Sequence, residues 1–170
     1  MQFEKVRYES FKKDVLHYYF PNLTEDKIID AYERIRIPER STVKSAGYDF
    51  TTPFDFYLNG KSGVVIPSGI KCRFEEKEST FWHLKLYNRS SLGINNHIVL
   101  KHGTGIIDSD YYNNPSNEGD ILIPLVNLSG VGKQFKAGDR IVQGIFEMFG
   151  IVKDDNANGQ RFGGVGSTGV

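Results

Sequence analysis

From Pro38 onward the chain is a succession of short apolar runs with turn signals between them and no helical stretch in between. "GVVIPSGIKCRF" carries a Pro-Ser-Gly turn, and "FWHLKLY" alternates in part. "HIVLKH", "GDILIPLVNL" and "DRIVQGIFEMFGI" are apolar and rich in β-branched residues, while "DYYNNPSNEGD" reads as a long polar loop. Short strands without intervening helices predict a mainly β domain, a sandwich or jelly roll. No internal repeat and no hinge divides the chain. Its 170 residues predict one domain, long enough for a real core.

The first 35 residues have a different texture and read as helical. Tyr8, Phe11, Val15 and Tyr18 form one apolar stripe, which Phe20-Pro21 ends. A second helix is predicted from Thr24 as N-cap. Glu25 and Asp26 face the positive end of its dipole, and Leu23 with Ile28 forms a staple. Ile28, Tyr32 and Ile35 continue the stripe. These helices show no evident chemistry. The predicted organisation is a helical extension over 1–36, a β-domain over 37–153 and a glycine-rich tail over 154–170.

Charge narrows the function classes. Lys and Arg number 21, Asp and Glu 21, so formal net charge is zero. That argues against a broad nucleic-acid or membrane footprint and leaves room for a small anion pocket. Cys72 is the single cysteine, which predicts no intramolecular disulfide and a reducing cytoplasm. No run of 18 apolar residues occurs and the N-terminus lacks a signal-peptide core.

Three stretches could carry chemistry. In "LYNRSSLGI", Arg89 is a planar charged fork followed by the hydroxyls of Ser90 and Ser91. With a helix opening there, free N–H groups would complete a phosphate cradle. A surface ion pair and turn serines would give the same string. In "KHGTGIIDSDYY", two glycines flank Thr104 as in a tight hairpin, and Asp108 follows two isoleucines at a core edge. An acid held there suits a general base, and Tyr111 offers a flat face to a sugar or base. The alternative makes Asp108 and Asp110 loop-capping acids and Tyr111 core. In "SAGYDF", Asp49 could orient metal-bound water or cap a turn. In "KAGDRIVQGIF", Arg140 and Gln143 are three apart and on a regular strand face opposite ways. His83, His97 and His102 lack metal-ligand spacing, so a protein-ligated zinc site is not expected.

The tail "RFGGVGSTGV" contains G-x-G-x-x-G at residues 164 to 169, but one residue follows where a dinucleotide site needs a helix and an acid. Five of the last twelve residues are glycine. Such a tail is either disordered or orders on an anion through accessible backbone N–H groups.

Each signal is weak, but their order is not. "SAGYDF", "NRSSLGI", "GTGIIDSDYY", "GDRIVQGIF" and "RFGGVGSTG" stand in the order of the five motifs of homotrimeric dUTPases, and residues from about 37 to 170 resemble that family. The N-terminal helices and "YNNPSNEGD" resemble its bacterial and phage branch. The resemblance implies a β jelly roll, a homotrimer with active sites shared between subunits, and Mg²⁺-dependent hydrolysis of dUTP to dUMP and pyrophosphate. It implies Asp108 as the base that activates water and Tyr111 as the ring beneath the deoxyribose. The backbone from Gly103 to Ile107, with His102, Gly105 and Ile107, would read the uracil. Arg89, Ser90, Ser91 and Gln143 would serve the phosphates. Arg161 would grip the γ-phosphate, with Phe162, Val165, Gly166 and Ser167 wrapping the nucleotide. Asp49 would hold Mg²⁺ through its waters. Arg140 is expected to be structural, paired with Asp139 or across the subunit contact. An ordinary Asp ionises near pH 3.9, so Asp108 is expected to be charged at neutral pH.

Four positions depart from the family pattern. Asn88 stands where proline is usual, Ser91 where glycine is common, and His102 where many bacterial members carry a uracil-reading asparagine. Val165 replaces the phenylalanine that caps the base, which makes Phe162 the candidate for a displaced lid. Related dCTP deaminases, the alternative within the fold, carry an arginine soon after Arg-Ser-Ser, where this chain has Gly93-Ile94. Some phage members bind repressors, so a protein partner of that kind is a further expectation.

Overall fold

A computed structural model describes residues 1–164. Along the chain lie β1 (Gln2–Lys5), α1 (Tyr8–Asp14), a π-helical turn (Val15–Tyr19) and α2 (Glu25–Glu33). Then come β2 (Glu39–Arg40), β3 (Tyr48–Thr51), β4 (Phe56–Leu58), β5 (Gly63–Pro67), β6 (Ile70–Arg73) and α3 (Glu76–Ser79). β7 (Trp82–Asn88), α4 (Ser90–Asn96), β8 (Ile98–Leu100), β9 (Gly105–Ile107) and a 3-10 turn (Ser109–Tyr111) follow. β10 (Leu122–Asn127), β11 (Lys133–Phe135) and β12 (Arg140–Met148) complete the set. The protein is mainly β, as its short β-branched runs predict, but α3 and α4 interrupt the strands after Pro38, where no helical stretch is expected.

The largest sheet has the order β2-β3-β12-β7-β9, and a second has the order β5-β10-β8. All their pairings are antiparallel. In β7, Leu84 and Leu86 alternate into the core with nothing exposed. Gly144 lies opposite Leu86 at the centre of β12. A Cβ there would fall 2.9 Å from both Leu84 and Phe50, so glycine lets their side chains close over the strand. Phe50, Ile66, Leu84, Leu86, Ile98, Ile123 and Phe135 lie at the heart of one core.

The N-terminal segment is only partly helical. Residues 2–5 form a strand on β6, pairing Phe3 with Cys72, and the Phe3 ring packs against Tyr48, Phe50 and Phe146. An open strand edge and an aromatic docking site override local helical pattern there. The stripe begins at Tyr8, and Phe11 and Val15 are fully buried. The π-helical turn then widens the helix, so Tyr19 stacks on Phe54 at 4.4 Å while Tyr18 stays 38% exposed. Thr24 holds the N-cap position of α2 with an extended backbone, but its side chain makes no capping hydrogen bond. Val6, Phe11, Val15, Ile28, Ala31 and Ile35 join the same core as the sheets.

Candidate active site

β8 pairs with β10, whereas β9 pairs with β7. The chain from Lys101 to Thr104 therefore crosses between sheets and is not the tight two-strand hairpin expected from its glycines. Gly103 adopts φ +78, which the reversal requires, and its N–H donates to the Leu100 carbonyl at 3.0 Å. This crossing opens a cavity of about 480 Å³ whose wall includes His102, Gly105, Ile107, Asp108 and Tyr111. Leu86, Leu122 and Pro124 give it an apolar floor, and Tyr18 reaches it from the π-helical turn.

Asp108 follows β9 directly and its carboxylate is about half exposed. Burial raises its pKa, the neighbouring Asp110 adds to the rise, and Arg161 and His83 oppose it. The ordinary value expected from sequence is thus corrected upward, by desolvation. Arg161 donates from Nη2 to Asp108 Oδ2 and from Nε to Asp110 Oδ1, both at 2.8 Å. Its guanidinium carbon lies 5.7 Å from the centre of the Tyr111 ring. Burial also lowers the pKa of His102, which favours the neutral imidazole.

Tyr111 is buried, and its hydroxyl donates to the Asp120 carbonyl at 2.8 Å. The polar loop that follows is itself largely interior. Asn114 Nδ2 donates to the Tyr111 carbonyl and to Asn117 Oδ1, and Asn117 Nδ2 donates to the Tyr111 hydroxyl. Asn114, Asn117 and Asp120 are spaced three apart, and that run of local hydrogen-bonding side chains was the available signal for an ordered loop. Glu118 in this loop accepts from Lys71 at 2.7 Å, Ser10 at 2.7 Å and Arg7 at 2.9 Å. Burial works to raise its pKa, but these donors outweigh it and hold Glu118 at about 2.

A second group of candidate residues lines none of this cavity. Arg89 holds the N-cap position of α4, so Ser90 and Ser91 open the helix, while the Leu92 and Gly93 N–H groups donate to the Arg89 carbonyl, both at 3.1 Å. Arg89 Nε lies 3.1 Å from Asp49 Oδ1. Arg140 Nη1 lies 3.1 Å from Asp49 Oδ2, which also accepts from the Ser41 hydroxyl at 2.8 Å. Arg140 therefore pairs with Asp49 and not with Asp139, whose carboxylate caps Lys136 N–H instead. The expectation that Arg140 and Gln143 face opposite ways also fails. A bulge between Arg140 and Val142 sets Arg140 against Thr51 and Gln143 against Asp49, two positions on the same face of β3. Gln143 Nε2 donates to the Asn88 carbonyl at 3.2 Å, and the Asn88 side chain accepts from Leu100 N–H. Proline at position 88 would lack that side-chain acceptor.

Phe162 is 74% exposed and lies off the cavity wall, while Gly164 is part of it. Val165, Gly166 and Ser167 lie outside the described residues. The described residues contain no cluster of three or more His, Cys, Asp or Glu that could hold a metal ion. Asp49 nevertheless keeps acceptor capacity: a carboxylate has about four lone-pair sites, and its three contacts leave one on Oδ1. That suits Mg²⁺, which retains most of its waters and needs no protein cage. Among the described residues, no helix is long and apolar enough to cross a membrane.

Residues 33–169 match the family model for dUTPase. The deoxyuridine 5'-triphosphate nucleotidohydrolase of Lactococcus lactis subsp. lactis is 38% identical over 139 residues, 80% of this chain and 89% of that one. The crystal structure of dUTPase from Streptococcus mutans superposes with a TM-score of 0.67 at 29% identity, covering 90% of this chain and 99% of the other. The dUTPase from phage phi11 of S. aureus shares the fold, with a TM-score of 0.60 at 20% identity over 75% of this chain and 92% of its own.

Proposed function

Since the chain belongs to the dUTPase family and is an enzyme that hydrolyses dUTP to dUMP and pyrophosphate, we propose a division of that work among its own residues. The observation that carries the reading is Asp108 at the rim of an apolar cavity, beside a buried tyrosine and under a guanidinium. Asp108 is the general base. It takes a proton from the water that attacks the α-phosphorus, and the bond from that phosphorus to the bridging oxygen breaks to release pyrophosphate. Tyr111, locked through its hydroxyl, is the platform for the deoxyribose, where a rigid ring leaves no space for a 2′-hydroxyl. His102, Gly105 and Ile107 face the base.

Arg89, Ser90, Ser91 and Gln143 form the phosphate group, with Arg161 moving from Asp108 to the γ-phosphate when the nucleotide arrives. Val165, Gly166 and Ser167, outside the described residues, are assigned to the triphosphate by the family motif. Phe162 would have to swing inward to cap the base. Mg²⁺ supplies charge neutralisation at the phosphates when bound, and Asp49 would hold one of its waters while fixing Arg89 in place. The nucleoside cavity and the Arg89 group share no wall within one chain, which supports a homotrimer whose sites are completed by neighbouring subunits. The buried free thiol of Cys72, pushed up to about 12 by burial, is consistent with a cytoplasmic enzyme.

Pyrophosphate release measured across dUTP, dCTP, dTTP and UTP tests the reading. Release confined to dUTP supports it, and ammonia from dCTP would establish the deaminase alternative.

A further inference from the structure

Two carboxyl groups that the reaction does not use are buried together behind the cavity. Asp14, at the end of α1, is 2% exposed, and Asp120, just before β10, is 0% exposed. The two side chains act on one another electrostatically, each being among the groups that shift the other's pKa. Asp120 Oδ1 also accepts from Gly69 N–H at 2.8 Å and from the Ser68 hydroxyl at 3.3 Å. The Oδ2 atom of each residue is buried with no hydrogen-bond partner. Two ionised carboxylates in such a place would repel across a medium of low dielectric, each without enough donors. One proton carried between them relieves both problems. Burial raises Asp14 to about 6 despite Lys13, Asn117 and His17, and drives Asp120 well above the carboxylate range, with Asp14 adding to it. At neutral pH the pair therefore keeps one proton, which belongs to both.

The pair joins two parts of the cavity wall. The main-chain carbonyl of Asp120 receives the Tyr111 hydroxyl at 2.8 Å and Asn117 Nδ2 at 3.0 Å. Gly119 permits this turn: its φ is +85, and a Cβ would lie 2.8 Å from the Tyr111 carbonyl. On the other side, Asp14 immediately precedes the π-helical turn that carries Tyr18 to the cavity.

We propose that Asp14 and Asp120, sharing a proton, are positioning residues that fix Tyr111 and Tyr18 as the two aromatic walls of the nucleoside pocket. The inference rests on the reading of this cavity as the nucleoside site. Neither aspartate touches substrate. The groups facing the pair are Lys13, His17 and Tyr18 on the helical segment, Tyr111 and Asn117 on the loop, and Ser68 and Gly69 between β5 and β6. When the shared proton leaves at alkaline pH, the two charges repel and the walls separate. Substrate affinity then falls while proton transfer at Asp108 is unaffected.

The test measures KM and kcat for dUTP against pH for the wild type, Asp14→Asn and Asp14→Ala, with thermal midpoints at each pH. The amide introduced by Asp14→Asn would donate to Asp120 without titrating. Wild-type KM should rise about fivefold from neutral to alkaline pH at steady kcat, and Asp14→Asn should remove that rise. Asp14→Ala should raise KM about tenfold at neutral pH and change kcat less than about twofold. The thermal midpoint of Asp14→Asn should gain on the wild type as pH rises. An Asp14→Asn profile that tracks the wild type in both KM and midpoint overturns the proposal, and it decides alone if Asp14→Ala does not fold. Absence of wild-type dUTP hydrolysis would instead sink the reading of the site, and the midpoints would still report the shared proton.

Discussion

Arg161 Nη2 stands 2.8 Å from Asp108 Oδ2, and the same guanidinium reaches Asp110, so a single tail cation neutralises two acids at the mouth of the cavity. Burial raises the pKa of Asp108 and Arg161 lowers it. A base works only when ionised, so activity must fall as pH drops through that pKa. Arg161→Ala removes the lowering influence, and the acid limb of kcat/KM should move to higher pH. A pH–rate profile reads this directly, and an unmoved limb would uncouple the two residues.

Asp108→Asn should reduce kcat by at least about a hundredfold, the usual scale for a lost general base. Binding of a non-hydrolysable dUTP analogue should persist, because the Tyr111 platform and the Arg89 group are untouched. Substantial residual turnover would remove Asp108 from its role.

The separation of the Asp108 cavity from the Arg89 group predicts complementation between two defective chains. If each site pairs one chain's Asp108 with a neighbour's Arg89, every mixed trimer of Asp108→Asn and Arg89→Ala chains regains one intact site. Equal mixing after reversible dissociation should restore about a quarter of wild-type activity. Activity no higher than that of the unmixed variants would mean that each chain owns a complete site.

Glu118 binds Lys71, Ser10 and Arg7 and has a pKa of about 2. Its folded pKa is depressed, so its stabilisation is present above the unfolded value of about 4.5 and is lost as pH falls towards 2. Glu118→Ala leaves Lys71 charged and buried, at a cost of about 3 kcal/mol at neutral pH. The gap from the wild type should shrink on acidification, as denaturant titrations at several pH values would record.

Phe162→Ala addresses the displaced lid. Its ring is mostly in solvent without substrate, so thermal stability should not change. A ring that swings over the base would make the variant's KM for dUTP rise by about tenfold. Unchanged KM and turnover would end Phe162's candidacy.

The β character after Pro38 was legible because alternation and β-branched composition are local properties. β1 was not, since residues 2–5 are a strand only through their partners at Ile70–Arg73. The bulge that puts Arg140 and Gln143 on one face exists only through the register with β3. The residue types around Asp108 could be read in a short segment. The link from Asp14 to Asp120, 106 positions apart, could not, because nothing in either neighbourhood announces a buried carboxyl partner.

β12 sits between β3 and β7 at the centre of the largest sheet, yet among the described residues it is the last strand in chain order. During synthesis β3 and β7 therefore emerge long before the strand that joins them, and their inner edges wait unpaired. The sheet can be completed only once β12 has been made. Folding of the largest sheet should accordingly wait on β12, with the edges of β3 and β7 exposed to mispairing until that strand has left the ribosome.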